Sequence, residues 1–115
     1  MPCLYRPVDI IVRVIDIMKI LAIEKGNPGV AAEKFKPHLK AEALRVWELY
    51  QSGVIRELYF RQDWPGALLI LESKDSAEAN EALNSLPLVK EGLISFEVIP
   101  LIPYPGFARL FARES

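Results

Sequence analysis

Apolar and polar positions alternate in several separate stretches of this chain, and between them the period lengthens to that of a helix. Residues 18–24 (MKILAIE) read as a first core strand. Gly26-Asn27-Pro28-Gly29 marks a turn, and 30–35 suits a helical turn. Pro37 fits the first position of a helix that runs to about Ser52. On that helix Leu39, Ala43, Val46 and Tyr50 fall on one stripe with Trp47 beside it, and Gly53 stands where a left-handed cap belongs. Residues 54–61 (VIRELYFR) and 67–72 (ALLILE) read as the arms of a hairpin around Asp63-Trp64-Pro65-Gly66. Asp75-Ser76-Ala77-Glu78 is an acidic capping box. It opens a second helix with Ala79, Ala82, Leu83 and Leu86 as its buried stripe, ended by Pro87. The last strand covers about 93–101, where Pro100 removes a donor and points to an edge or a strand end.

The order is βαββαβ, which predicts an α+β, ferredoxin-like fold with a four-stranded antiparallel sheet and both helices on one face. The strands, however, are apolar on both parities. Val54, Leu58 and Phe60 alternate with Ile55 and Tyr59, and Leu68 and Ile70 alternate with Ala67, Leu69 and Leu71. One layer of two helices cannot bury both sets. A second copy, sheet against sheet, can, so the periodicity predicts a homodimer, or a higher homo-oligomer. Beyond the domain at 18–102, an arm at 103–115 carries Tyr104, Phe107 and Phe111 among prolines, and it is expected to lie across a partner subunit. Residues 1–17 form an N-terminal extension. Val8, Ile10, Val12 and Val14 alternate like a strand, whereas Asp9, Arg13 and Asp16 are spaced like a helical face; the strand is preferred. Met18 is an alternative natural start.

Composition narrows the function classes. The 115 residues are 51% hydrophobic and 25% charged, which fits one globular domain. Net charge is −1 with both signs interspersed, so no footprint for nucleic acid is visible. The one cysteine, Cys3, makes neither an intrachain disulfide nor a metal site. Charges at Asp9, Arg13, Asp16 and Lys19 interrupt the very apolar stretch 8–23, so neither a membrane span nor a signal peptide is expected there. A cytoplasmic protein is expected. No phosphate-binding loop or Cys/His metal cluster is present, and no cofactor is expected.

The segment from His38 to Leu101 resembles the muconolactone isomerase family of the dimeric α/β-barrel group. Gly53 after the helix, the Arg56 strand, the hairpin, Leu86-Pro87-Leu88 and Glu97-Val98 carry this resemblance. Pro37-His38-Leu39 is similar to the YCII-related proteins, which have a histidine near the start of the first helix. Three departures stand out. The linker Val89–Ser95 is longer than the isomerase pattern, Asn84-Ser85 stands where YCII-related proteins have an aspartate, and His38 lies about one helical turn further from Gly53 than in the YCII pattern. The resemblance implies a pocket for a small carbonyl or carboxylate compound, with cofactor-free proton transfer as the reaction. The barrel group also includes haem enzymes, for which His38 is the available ligand; nothing else here points to haem.

His38 is the single histidine, and Glu42 lies four residues on, on the same helical face. A carboxylate there can orient an imidazole, which makes His38 the candidate acid/base and Glu42 its partner. The competing reading is a solvated surface pair. Arg56 shares a parity with Leu58 and Phe60, so it is expected near apolar space with Glu72 or Glu97 as partner. It is the candidate anchor for a substrate carboxylate, against a structural ion pair as the more frequent role. Tyr59, Trp64 and Glu72 complete the candidate substrate-binding set, Trp64 because a turn makes few packing demands. Two functions follow: a small cofactor-free isomerase or lyase acting on an oxygenated organic acid or lactone, and a non-catalytic ligand-binding or structural homo-oligomer.

Overall fold

The computed structural model describes residues 17–27 and 29–111. The strand-or-helix choice for the N-terminal extension therefore lies outside the described residues. Four strands form one antiparallel sheet: β1 (Met18–Gly26), β2 (Ile55–Phe60), β3 (Ala67–Ser73) and β4 (Ile94–Leu101). Their spatial order is β2-β3-β1-β4. Helix α1 (Leu39–Gln51) joins β1 to β2, and α2 (Ser76–Asn84) with the single turn α3 (Pro87–Lys90) joins β3 to β4. The chain is α+β and compatible with a ferredoxin-like fold.

The local signals explain the joints. Gly53 takes φ +87°, a conformation that L side chains rarely adopt, directly after α1. Asp75 caps α2 by accepting from the Glu78 N–H at 2.8 Å, and the Glu78 carboxylate accepts from the Lys74 N–H at 3.0 Å. Pro87 does not simply end the second helix: α2 stops at Asn84, and Pro87 opens α3. Pro100 sits near the end of edge strand β4, where a missing donor is tolerated. In the hairpin, Arg61 N–H donates to Gly66 C=O at 2.8 Å.

One face of the sheet holds the core. Ile20, Ala22 and Leu71 are fully buried and Ile55 and Leu69 nearly so, against Leu49 of α1, Ala79 and Leu83 of α2, and Leu86. A second small cluster, Leu88, Leu93 and Ile94 with Val30 and Phe35, closes the end of the sheet beneath α3. The other face carries no helix among the described residues. Cross-strand pairing puts Leu21, Ile23, Leu68, Ile70, Ile99 and Leu101 there, all partly buried.

Two expectations from periodicity fail. A bulge between Ile55 and Glu57 breaks the alternation of β2. Ile55 and Leu58 therefore share the helix-covered face, opposite Leu71 and Leu69, instead of opposing each other. The stripe on α1 is also different. Leu39, Trp47 and Tyr50 are about half exposed, while Leu49 is buried and Glu42, Arg45 and Val46 are partly so. Two charged residues belong to the inward stripe because each has a polar partner in the neighbouring layer. The Arg45 Nε donates to Ser85 Oγ at 2.8 Å, and Glu42 accepts from the Leu88 N–H at 2.9 Å.

Candidate functional site

His38 closes a short helical turn, Lys36–His38, immediately before α1, and is partly buried. Glu42 faces inward one turn later. Its carboxylate accepts from the Leu88 N–H at the start of α3, whose first amides have no partner within a one-turn helix. Partial burial raises the Glu42 pKa above the usual carboxylate range; the Leu88 N–H pulls it down and the nearby charge of Glu24 pushes it up. Glu24 itself accepts from the Ala67 N–H at 2.9 Å, tying β1 to the start of β3. Among the described residues no hydrogen bond joins Glu42 to His38.

Arg56 lies at the β2 bulge, so its parity with Leu58 and Phe60 does not carry it into apolar space. It is more than half exposed, and its Nε stands 3.7 Å from Glu72 Oε1. Lys19 Nζ reaches the other oxygen, Oε2, at 3.3 Å. Glu72, on β3, thus links the central strand β1 to the bulged edge. Tyr59 projects from the open face, and its hydroxyl donates to Glu57 at 2.8 Å, which raises the phenol's pKa. Trp64 folds back over the hairpin. A Cβ on Gly66 would run into its ring, so any larger residue there would displace the indole. The Arg61 guanidinium lies 5.6 Å from the Trp64 ring centroid while bonding Asp63 through both oxygens at 3.0 and 2.8 Å. That bidentate contact holds the Asp63 carboxyl below its usual pKa.

Four clefts open around these residues. One of about 530 Å³ lies at the start of β1 and end of β4, beside Lys19 and Glu72. A second, about 620 Å³, lies at the opposite end of β1, between Trp64, Arg61 and Glu97. Two shallower ones, each about 330 Å³, flank Arg56 at the β2 edge, one shared with Tyr59. Neither His38 nor Glu42 lines any of these four. The structure therefore brings Arg56 together with Glu72 and Tyr59, and leaves Trp64 and the His38 turn apart from them. Sequence reasoning missed Lys19, although its strand parity relative to the ALLILE strand would have paired it with Glu72.

Among the described residues no group of three or more His, Cys, Asp or Glu side chains is arranged to hold a metal ion, and no helix is long and apolar enough to cross a membrane. Neither the protein-family models nor the curated proteins contain a match to this chain.

Proposed function

We propose that this protein is a homodimeric small-molecule-binding protein of the dimeric α/β-barrel kind, with a small organic carboxylate as ligand. The observation that carries this reading is the open sheet face: six partly buried aliphatic side chains in adjacent rows with no layer above them among the described residues. The charge pattern supports a second copy as the cover. A two-fold axis parallel to the strands exchanges the positions of β1 and β3, and of β2 and β4. Lys19 then meets the partner's Glu72, Leu21 meets the partner's Ile70, and Tyr59 meets the partner's Glu97. Opposite signs, apolar pairs and a donor against an acceptor coincide in one operation. The resemblance to the muconolactone isomerase family supplies the ligand class, and the exposed arm supplies further surface for a partner subunit. Sedimentation equilibrium tests the assembly: a dimer is expected, and a chain that stays monomeric at tens of micromolar concentration overturns it.

A second reading adds catalysis, cofactor-free proton transfer by His38 and Glu42. The raised pKa of Glu42 favours it, since carboxyls whose pKa is shifted upward by burial recur at proton-transfer sites. The hydrogen bond to Leu88 gives that carboxyl a structural role as well. Turnover of small unsaturated lactone acids by the wild type, lost in His38→Ala, is the outcome that selects catalysis.

A further inference from the structure

We propose that β2 is an association edge, and that its partner is β2 of a second copy, paired antiparallel about a two-fold axis at Tyr59. β2 is an outer strand of the sheet, with β3 on one side and no strand on the other among the described residues. Arg61 N–H donates to Gly66 C=O across the hairpin, and Tyr59 and Glu57 keep the same register opposite Leu68 and Ile70. The alternation of an antiparallel ladder therefore turns the N–H and C=O of Leu58 and Phe60 away from β3, to the outer side. Edges of this kind are usually blunted by proline, lysine or a bulge. The other outer strand, β4, contains Pro100. Residues 57–61 of β2 and its end contain neither proline nor lysine, and the bulge lies before them, at Arg56.

This short segment is complementary to itself when turned end for end. In the register centred on Tyr59, Leu58 faces the partner's Phe60 and exchanges both backbone hydrogen bonds with it, and Phe60 does the same with the partner's Leu58. Glu57 faces the partner's Arg61, so the segment's two charges meet with opposite sign at both ends. Centring the pair on Glu57 or on Arg61 instead sets like charges against each other. The apolar side chains agree. Leu58 and Phe60 are on the helix-covered side of the sheet yet 43% and 71% exposed, so the helices leave this part of the edge bare. Beside Leu58, Tyr50 of α1 borders a shallow cleft of about 330 Å³. The partner's Phe60, opposite Leu58, is placed at that cleft, and the contact repeats by symmetry. These hydrogen bonds lie in the plane of the sheet, so the face-to-face dimer leaves both of its β2 edges at the rim. A ladder of so few residues is a small interface. It therefore forms at higher protein concentration than the face contact and joins dimers side by side into larger even-numbered assemblies.

Disulfide trapping reads the register directly. The Tyr59 pair is of the non-hydrogen-bonded kind, with Cα atoms about 4.5 Å apart, within the range of about 4.4–6.8 Å that a disulfide spans. Glu57 and the partner's Glu57 are offset along the strands by about 13 Å and cannot be bridged. Full-length chains that also carry Cys3→Ser are oxidised with diamide and read by mass spectrometry. Tyr59→Cys is expected to cross-link, Glu57→Cys to stay single, and Glu57→Cys mixed with Arg61→Cys to cross-link. Adding Phe60→Lys is expected to cut the Tyr59→Cys product several-fold, with the circular dichroism of the folded chain unchanged. Adding Ile70→Glu, which opens the face contact, is expected to leave that product. Absence of the Tyr59→Cys product in a folded chain overturns the pairing, whether residues 1–16 or another segment occupies the edge. Equal cross-linking of Tyr59→Cys and Glu57→Cys also overturns it, as the mark of random collision, and so does a product that disappears with Ile70→Glu. A chain that is monomeric in dilute sedimentation yet gives the Tyr59→Cys product overturns the face dimer alone.

Discussion

Leu71 and Ile70 are consecutive residues of β3, almost equal in size and hydrophobicity, and they meet opposite surroundings. Leu71 is fully buried against the helices. Ile70 lies on the open face in a row with Leu21 and Ile99, partly exposed and with no layer over it among the described residues. The same contrast holds along β1, between Ile20 and Leu21. Hydrophobicity alone therefore does not say what a strand residue does; the layer above it does. One face contributes to the stability of the single chain. The other adds little to it, and it is the face that the proposed dimer would cover.

The contrast breaks most severely if Leu71 is truncated. Leu71→Ala is expected to cost about 2–5 kcal/mol in urea unfolding, from lost burial plus the cavity left behind. Ile70→Glu is the matched change on the other face. It is expected to leave the melting temperature of a dilute sample within a few degrees of wild type, but to abolish the dimer in sedimentation. If instead it unfolds the chain, the two faces are not separable in the way drawn here.

Glu42 sharpens the comparison from the helix side, where a charged residue occupies an inward position. Its native pKa lies above its unfolded value because burial disfavours the carboxylate. The folded state therefore binds the proton more tightly, and the stability linked to Glu42 is complete below the unfolded pKa and is lost as pH rises through the native one. Glu42→Gln keeps an acceptor for the Leu88 N–H and should flatten the stability–pH curve over that window. Glu42→Ala leaves that amide without its partner and should cost about 1–3 kcal/mol. A Glu42→Gln curve with the wild-type slope would show that the pH dependence arises elsewhere. The smallest effect is expected at Trp47, half exposed on the outer side of α1. Trp47→Ala should change stability by only about 0.5 kcal/mol; a larger loss would show that this side also meets a partner.

The elements were readable in the sequence because their stop signals are strong. Gly53, Asp75 and Pro87 each mark a joint within a few residues of where the chain turns. Two faces were read wrongly, for different reasons. On β2 the bulge at Arg56 inserts one residue into the ladder, and a strict two-residue period cannot register an insertion. On α1 the apolar pattern favours Leu39, Ala43 and Tyr50, whereas the inward positions include Glu42 and Arg45. Their burial depends on partners at Leu88 and Ser85, more than thirty residues away, and no local pattern encodes them. The candidate site divides similarly. Arg56 was expected in apolar space with Glu72 or Glu97 as its partner; it is Glu72 that stands beside it, at an exposed edge. The link between His38 and Glu42 rested on helical spacing, which places two side chains on one face without fixing what each one bonds.

Strand β1 lies at the centre of the sheet, with Lys19 paired to Glu72 on one side and Leu101 on the other. It is the first strand to be synthesised among those described, yet both of its neighbours come much later. During translation its two rows of unpaired amides and carbonyls must wait for β3 and then for β4 before either edge is satisfied. Such long-range pairing slows folding and leaves an apolar strand open to wrong partners in the meantime. The turn at Gly26 and the charged residues Lys19, Glu24 and Lys25 set along β1 are then more than features of the finished sheet. Charges beside an apolar strand are the kind of gatekeeper that disfavours wrong pairing of a nascent MKILAIE segment before the rest of the chain arrives.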